Sequence, residues 1–465
     1  VDEDGLHDID HVDSTRQLES DPVLGGSRHP GAGGWYHPGP VPVRLSPASG
    51  IHGRYHLPGD KSLSHRLAML AAAGTGPSRL AGFSTARDCA STLECLGRLG
   101  VPWRMEEGAL HVPGNGIDAW RPPVVPLDAG NSGSTLRMLL GLLAGRPFSA
   151  TLTGDTSLRR RPMERVAVPL RAMGATVTTR DGHAPVGVRG GRLRGGIHRL
   201  EVASAQVKTA VLFAGLQADG PITVVEPAPS RDHTERLLPL LGVRLEVDGG
   251  AATVWPAPVL QPLDVTVPGD PSSGAFLVVA ALLLPDSQVI LERVLLNPRR
   301  TRYLEVLRRM GADIEVEPAG DHPEPWGRLI ARTSRLGQAV VTADEAPALV
   351  DELPALAVAA TRAEGALVVE GAGELRLKES DRIAALAAGL GALGAAVEER
   401  ADGFVVRGGR PLRGARVSAC GDHRIAMALA VAALTAEGDT RIEGAESAAV
   451  SFPGFFDLLE QAVRA

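Results

Sequence analysis

The sequence has 465 residues, 44% of them apolar but only 3% aromatic, with 48 Lys and Arg against 54 Asp and Glu and a net charge of −6. That is enough chain for about three domains of ordinary size, with cores of Leu, Val and Ala, and the acidic balance gives no support to nucleic-acid binding, for which a basic surface is expected. Three cysteines, Cys89, Cys95 and Cys420, match neither a disulfide framework nor a metal-ligand spacing and read as buried small apolar residues; no stretch is long and charge-free enough to span a bilayer.

Residues 1–40 are rich in Asp, Gly, His and Pro and lack apolar periodicity, so they read as a disordered N-terminal extension and not as a signal peptide. Val43 to His56 reads as strand, turn and strand. Gly59-Asp60-Lys61-Ser62-Leu63-Ser64-His65-Arg66 then leads into an apolar helix, Leu67 to Ala73. The first N–H groups of a helix lack intrahelical partners, so a cation and hydroxyls at such a start make an anion site. A nucleotide phosphate loop is a poor match. It needs Gly, four residues, then Gly-Lys-Ser, whereas Gly53 is one residue too distant and Asp60 separates Gly59 from Lys61.

Similar starts recur. Asp128-Ala-Gly130-Asn-Ser-Gly133-Ser-Thr-Leu136 turns into an apolar helix to Leu143, with Arg137 one turn in. Leu152 to Met163 carries Arg159, Arg160 and Arg161, and Pro162 is expected to open the next helix with Arg161 at its cap. Ser204 and Gln206 head an apolar helix, and Ser230-Arg231-Asp232-His233 precedes another. After a break at Val267 to Ser273 comes a helix over Gly274 to Leu284. Asp351 stands before an Ala/Leu helix, as its N-cap or as a carboxylate facing a positive cleft. Lys378-Glu379-Ser380-Asp381-Arg382 crowds four charges together, and the Glu379–Arg382 spacing also suits a surface ion pair. Asp422, His423 and Arg424 head a helix so apolar that it must be buried, so its polar head must pair or face a cleft.

The strongest architectural signal is a repeat. Leu96-Gly-Arg-Leu-Gly100, Leu170-Arg-Ala-Met-Gly174, Leu238-Pro-Leu-Leu-Gly242, Leu307-Arg-Arg-Met-Gly311 and Leu390-Gly-Ala-Leu-Gly394 are amphipathic helix ends closed by a glycine, and alternating strand sequence follows. The spacing of about 70 residues is too long for a solenoid unit and suits a small α/β subdomain. A sixth copy is assembled from the strand near Val43 and the helix Phe455 to Val463. The chain therefore leaves one domain early, builds a second and returns: residues 41–60 with 268–465 form a discontinuous domain I and residues 61–267 form domain II. Helix N-termini then aim into the cleft between them.

On these motifs, over about Val41 to Leu459, the sequence resembles the 5-enolpyruvylshikimate-3-phosphate synthases (3-phosphoshikimate 1-carboxyvinyltransferases), a family of enolpyruvyl transferases. The segments that carry it are Gly59-Asp-Lys-Ser-x-Ser-x-Arg66, Gly130-Asn-Ser-Gly-x-Thr-x-Arg137, Arg161-Pro-Met163, Lys378-Glu-Ser-Asp-Arg382 and Gly421-Asp-His-Arg424. The resemblance implies an α/β fold, the two-domain inverse α/β barrel with three βαβαββ units in each domain. It implies transfer of the enolpyruvyl group of phosphoenolpyruvate to the 5-hydroxyl of shikimate 3-phosphate, with release of phosphate, by a cytoplasmic monomer that uses no metal or organic cofactor and binds neither nucleic acid nor membrane. It assigns shikimate 3-phosphate to Lys61, Ser62, Arg66, Ser204, Gln206, Ser230, Asp351 and Lys378. Phosphoenolpyruvate falls to Lys61, Gly133, Arg137, Arg161, Gln206, Arg382 and Arg424, and catalysis to Asp351, Glu379 and Lys61.

The residue types suit that chemistry. Both substrates carry a phosphate and a carboxylate, which Arg binds as a planar fork and Lys as a point charge, and addition followed by elimination needs an acid and a base that exchange roles. Carboxylates among so many cations should nevertheless be weak bases. The sequence departs from the family at Val450, where a Lys often stands, and at Ala205, where a second Ser is common. By the same resemblance, glyphosate competes with phosphoenolpyruvate and is excluded when the glycine matching Gly133 is alanine. Two alternatives are a related transferase acting on UDP-N-acetylglucosamine, which usually has a reactive Cys in the loop matching Leu152 to Met163, and a non-catalytic binder of small anions. That loop has no Cys here.

Overall fold

Helix and strand alternate along this chain as its apolar pattern switches between the helical period of 3.6 and the strand period of 2. The computed structural model describes residues 42–464, so the expected extension over 1–40 lies outside the described residues. Four helices, Arg87–Arg98, Glu164–Met173, Arg302–Arg309 and Arg382–Ala392, and the 3₁₀ turn Leu238–Leu241 run into the five repeated glycines. Gly100, Gly174, Gly242, Gly311 and Gly394 take φ of 84, 111, 79, 97 and 93°, the left-handed region in which a Cβ would be strained.

Each such helix belongs to a unit with its own small mixed sheet. In one, Leu127–Asp128 runs parallel to Ser149–Thr153, which is antiparallel to His183–Arg189, itself antiparallel to Thr176–Arg180. The same ladder, one parallel pair then two antiparallel pairs, forms four further sheets, begun by Gly196–Arg199, Asp264–Thr266, His52–His56 and Ala339–Val341. Another sheet stops at three strands: Arg416–Ser418 is parallel to Thr440–Glu443, which is antiparallel to Val43–Leu45. The architecture is thus mixed α/β.

Buried apolar residues fall into two clusters. One runs from Leu63 to Val267 and takes Leu295 as well; the other joins Ile51 and Leu57 to residues from Ala275 to Ala462. At the centre of the first lobe lie the helices Lys61–Ala73, Gly133–Leu143 and Ala205–Gly215, and at the centre of the second lie Pro271–Leu283, Leu353–Thr361 and His423–Leu434. All six are almost wholly buried, whereas Arg302–Arg309 buries only Tyr303, Leu304, Val306 and Leu307. A helix apolar on every side can present polar chemistry only at its ends. Five of the six starts are set by capping side chains, the Leu353 helix being the exception. Asp60 accepts from Leu63 N (2.7 Å), Ser132 from Thr135 N (3.1 Å), Asp270 from Ser272 N (2.8 Å) and Asp422 from Arg424 N (2.9 Å), each contact worth about 1 kcal/mol.

The lobes are joined where Gly59 bridges Gly269, with Asp60 N donating to Pro268 O (2.8 Å) and Asp270 N to Pro58 O (3.0 Å). A Cβ on Gly59 would lie 2.0 Å from Gly82 O, so only glycine lets the backbones meet there.

The structure corrects several local readings. Helices begin at Lys61, Gly133 and Pro271, before the apolar pattern does, because a first turn carrying capping groups, hydroxyls and glycine is not apolar. Arg161 is not a helix cap. It follows the 3₁₀ turn Leu158–Arg160, and Met163 holds the cap position of the helix that starts at Glu164. Nor does Asp351 cap a helix, since Glu352 holds that position before Leu353. Cys89 and Cys95 are buried, but Cys420 is exposed, at φ 53° in the turn before the His423 helix.

Candidate active site

Five of the six buried helices bring their N-termini to one cleft of about 540 Å³, lined by residues of both lobes. Nine Lys and Arg side chains line it against five Asp and Glu, so the cleft draws anions although the chain as a whole is acidic.

The first lobe supplies most of the cations. Lys61 Nζ lies 2.9 Å from Asp88; burial and Arg424 push its pKa down, but Asp88 more than compensates and the ammonium stays charged. Arg66 donates to Thr234 Oγ1 (3.0 Å), Thr209 Oγ1 (2.9 Å) and the Ser62 carbonyl (2.8 Å). Arg137 donates to Gln206 Oε1 (2.6 Å) and the Pro162 carbonyl (3.1 Å), while Gln206 Nε2 donates to Ser134 Oγ (2.9 Å). Burial lowers the pKa of Arg66 to about 10; burial together with Arg165 and Arg161 lowers that of Arg137 to about 9. A guanidinium keeps its proton in a protein, so these shifts report how crowded with positive charge the wall is. Arg161 is fixed by Asn131 Oδ1 (2.7 Å) and Ser157 Oγ (3.2 Å). Ser204 caps the Ala205 helix, accepting from Val207 N at 3.4 Å. Ser230 donates to Glu226, which also pairs with the buried Lys208 (2.7 Å). Gly133 sits against this wall: a Cβ there would lie 2.7 Å from Arg137 Nη1.

The second lobe supplies the carboxylates, and one guanidinium organises them. Arg382, 1% exposed, reaches Asp351 Oδ1 (3.2 Å), Glu379 Oε2 (2.6 Å) and Asp422 Oδ2 (2.9 Å). The Glu379–Arg382 pair is therefore part-buried at the cleft, with Arg382 wholly enclosed, and not a surface pair. Across the cleft, Asp351 Oδ2 also meets Arg231 (2.6 Å) and Glu379 Oε1 meets Arg161 (3.4 Å). Burial would raise the pKa of Asp351, but Arg231, Arg424, Arg382 and Lys378 outweigh it and hold it well below the usual carboxylate range. Glu379 is likewise held low, against burial, by Arg382, Arg161 and His423. Burial lowers the pKa of Lys378, with Asp351 opposing. Arg424 is 2% exposed, and its Nε and Nη1 have no hydrogen-bond partner among the described residues; the partner chemistry such a group accepts is an anion.

The expected residues converge. Lys61, Ser62, Arg66, Gly133, Arg137, Arg161, Ser204, Gln206, Ser230, Asp351, Lys378 and Glu379 all line the cleft. Arg382 and Arg424 stand behind the lining, buried and reaching the carboxylates by contact or by field. Val450 is not among the lining residues. Sequence reasoning assigned no role to four others that line it. Arg231 bridges Ser62 Oγ (3.2 Å) and Asp351, Asp88 holds Lys61, and Arg165 pairs with Glu374 (3.2 Å) across the lobes. Arg231 stood beside Ser230 in a segment already of interest, but Asp88 and Glu374 carry no local signal, since their partners are distant in sequence. No cysteine lines the cleft, and among the described residues no cluster of three His, Cys, Asp or Glu could hold a metal ion. No helix among them is long and apolar enough to cross a membrane.

The family model described as EPSP synthase (3-phosphoshikimate 1-carboxyvinyltransferase) matches residues 45–459. The chain belongs to the EPSP synthase family. It is 45% identical over 422 residues to the 3-phosphoshikimate 1-carboxyvinyltransferase of Desulfitobacterium hafniense, covering 90% of this chain and 97% of that one. It is 48% identical to that of Salinibacter ruber, covering 90% and 98%. Its structure is similar to that of EPSP synthase from Acinetobacter baumannii, with a TM-score of 0.81 and 38% identity over 91% of this chain and 98% of that one.

Proposed function

We propose that this chain transfers the carboxyvinyl group of phosphoenolpyruvate to the 5-hydroxyl of shikimate 3-phosphate, releasing phosphate, in the pathway to aromatic amino acids. The observation that carries the reading is the Arg382 fork, which holds Asp351 and Glu379 side by side against a wall of cations. Shikimate 3-phosphate is bound by Lys61, Ser62, Arg66, Ser204, Gln206, Ser230, Asp351 and Lys378. Phosphoenolpyruvate is bound by Lys61, Gly133, Arg137, Arg161, Gln206, Arg382 and Arg424. Asp351 and Glu379, with Lys61, handle the protons: one carboxylate takes the hydroxyl proton as the oxygen bonds to the central carbon of phosphoenolpyruvate and the methylene carbon gains a proton; the new methyl group then gives a proton back as the carbon–phosphate oxygen bond breaks, and the departing phosphate takes the other.

The depressed carboxylate pKa values fit this reading once ligand charge is counted. Burial already pushes both upward, and only the surrounding cations hold them down. Two polyanions that pair with Arg231, Arg161, Lys378 and Arg424 remove that restraint, so the groups become better bases when a proton must move. The protein acts as a monomer in the cytoplasm, without metal or organic cofactor. Its fold is read as the inverse α/β barrel of six βαβαββ units, the shared sheet ladder being the support. Residues 41–60 with 268–465 make one domain and 61–267 the other, a division supported by the two separate cores. Phosphate release measured with both substrates together, and with each alone, tests the activity. Release that needs both and yields a product heavier by the carboxyvinyl group supports it, and no release under any condition defeats it.

A further inference from the structure

Arg300 does not line the cleft, and its side chain is 1% exposed. Its guanidinium meets the carboxylates that cap two buried helices: Asp60, which caps the Lys61 helix, and Asp270 (3.1 Å), which caps the Pro271 helix. Nη2 also donates to Ser272 Oγ (2.8 Å), whose hydroxyl donates to Glu352. Glu352 occupies the cap position of the Leu353 helix and directly follows Asp351. On the other side, Nη1 lies 3.2 Å from His233 Nε2. A ring nitrogen facing a guanidinium N–H must accept, so the neutral ring carries its proton on Nδ1 and donates it to Glu324, 2.7 Å away.

A buried ion cluster of this kind adds little net stability, because desolvation offsets most of the pairing. What a planar fork does fix is distance and direction. Asp60 precedes Lys61 and Glu352 follows Asp351, so one guanidinium stands a single residue behind groups on opposite walls of the cleft. It does so where Gly59 bridges Gly269 and the two lobes join. Helix caps alone cannot supply that link, since each acts within its own helix.

We propose that Arg300 is a positioning residue, which sets the spacing between Lys61 and Asp351 across the cleft through the Asp60, Asp270 and Ser272–Glu352 contacts. The proposal rests on the carboxyvinyl-transfer reading of that cleft.

Two variants of the full chain test it beside the parent. Arg300→Lys keeps a cation but loses the fork, and Ser272→Ala cuts the link to Glu352 while leaving both caps in place. Shikimate 3-phosphate binding is measured at equilibrium, kcat and KM by phosphate release, and folding by the thermal midpoint. A misplacement of about 1 Å away from the chemistry costs up to about a hundredfold in rate, so kcat of Arg300→Lys should fall at least about tenfold. Ser272→Ala should fall less in the same direction. Because Lys61 and Asp351 also bind shikimate 3-phosphate, its affinity and both KM values should shift in the same direction, but by clearly less than kcat does. Parent-like kcat in both variants overturns the proposal, and so does loss of kcat, ligand binding and thermal midpoint together. If Arg300→Lys does not fold, Ser272→Ala decides alone. A parent that releases no phosphate defeats the functional reading and this proposal with it, whereas an active parent with unaffected variants defeats the proposal only.

Discussion

The two walls of the cleft are built alike and charged differently. Both rest on buried helices that can present polar groups only at their N-termini, yet the first lobe offers Lys61, Arg66, Arg137, Arg161, Arg165 and Arg231 with a single carboxylate, while the second mixes Asp344, Asp351, Glu374 and Glu379 with Arg299, Arg302 and Lys378. Asp88 is the one carboxylate on the first wall, and it is spent on Lys61. A helix N-terminus favours an anion, so the first wall adds cations to a field that is already positive. The second wall sets its carboxylates into that field and holds them there with Arg382. On the proposed reading both walls bind substrate, and the division between them is that the second alone carries the carboxylates that exchange protons. The walls also bind each other through Arg231–Asp351, Arg161–Glu379 and Arg165–Glu374. Substrate anions must therefore compete with the protein's own carboxylates for the same guanidinium groups.

The sharpest way to break this division is Asp351→Asn, which keeps size and removes the charge. Turnover should fall by about two to four orders of magnitude, the range for losing a general acid–base group. Shikimate 3-phosphate affinity should change much less, since Asn keeps a polar contact to the ligand and Arg231 is released to pair with it. Steady-state kinetics and calorimetric titration of the folded variant check both, and parent-like turnover would mean that Asp351 serves only to pair Arg231 and Arg382.

A change on the first wall should behave oppositely. Gly133→Ala places a methyl group 2.7 Å from Arg137 Nη1, in a guanidinium that Gln206 holds through Nη1 and the Pro162 carbonyl through Nη2. Overpacking of this kind costs about 1–3 kcal/mol, roughly five- to 150-fold in affinity. That cost should fall mainly on glyphosate, the longer ligand, with a smaller rise in KM for phosphoenolpyruvate and kcat largely kept. Inhibition constants for parent and variant decide it; a parent already indifferent to millimolar glyphosate would show that the open space at Gly133 is not what admits the inhibitor.

The smallest effect expected is on stability. A carboxylate whose pKa is depressed in the folded state stabilises it above the unfolded value, about 4, and gives that stability up as pH falls through the folded value. The difference in thermal midpoint between parent and Asp351→Asn should thus be flat from about pH 5 to 8 and narrow below about pH 4. A difference that instead grows on acidification would contradict the depressed pKa.

Much of this is legible in the sequence alone. The five terminal glycines announce their helices because a left-handed φ leaves few alternatives, and Asp422-His-Arg424 announces the cleft because a polar head on a wholly apolar helix needs a partner. Helix starts were legible only to within a turn, since a first turn made of Lys61, Ser62 or Gly133 has no apolar period to follow. Partners distant in sequence were not legible at all. Nothing around Asp88 names Lys61, and nothing around Arg300 names Asp60, because those contacts are set by how the units close and not by local pattern.

The way the chain threads the two lobes also fixes an order of assembly. The first lobe is one continuous stretch from Leu63 to Val267, completed by Leu295, so its core can close while later residues are still emerging from the ribosome. The second lobe cannot follow suit. Its strand His52–His56 lies beside Gln288–Leu295, and Val43 waits for Ile442. Contacts of such long sequence separation form slowly, and the edges they leave open invite wrong pairing in the meantime. The early strands must therefore stay unpaired through the synthesis of an entire lobe, which makes them the segment whose sequence is answerable to translation as well as to the finished fold.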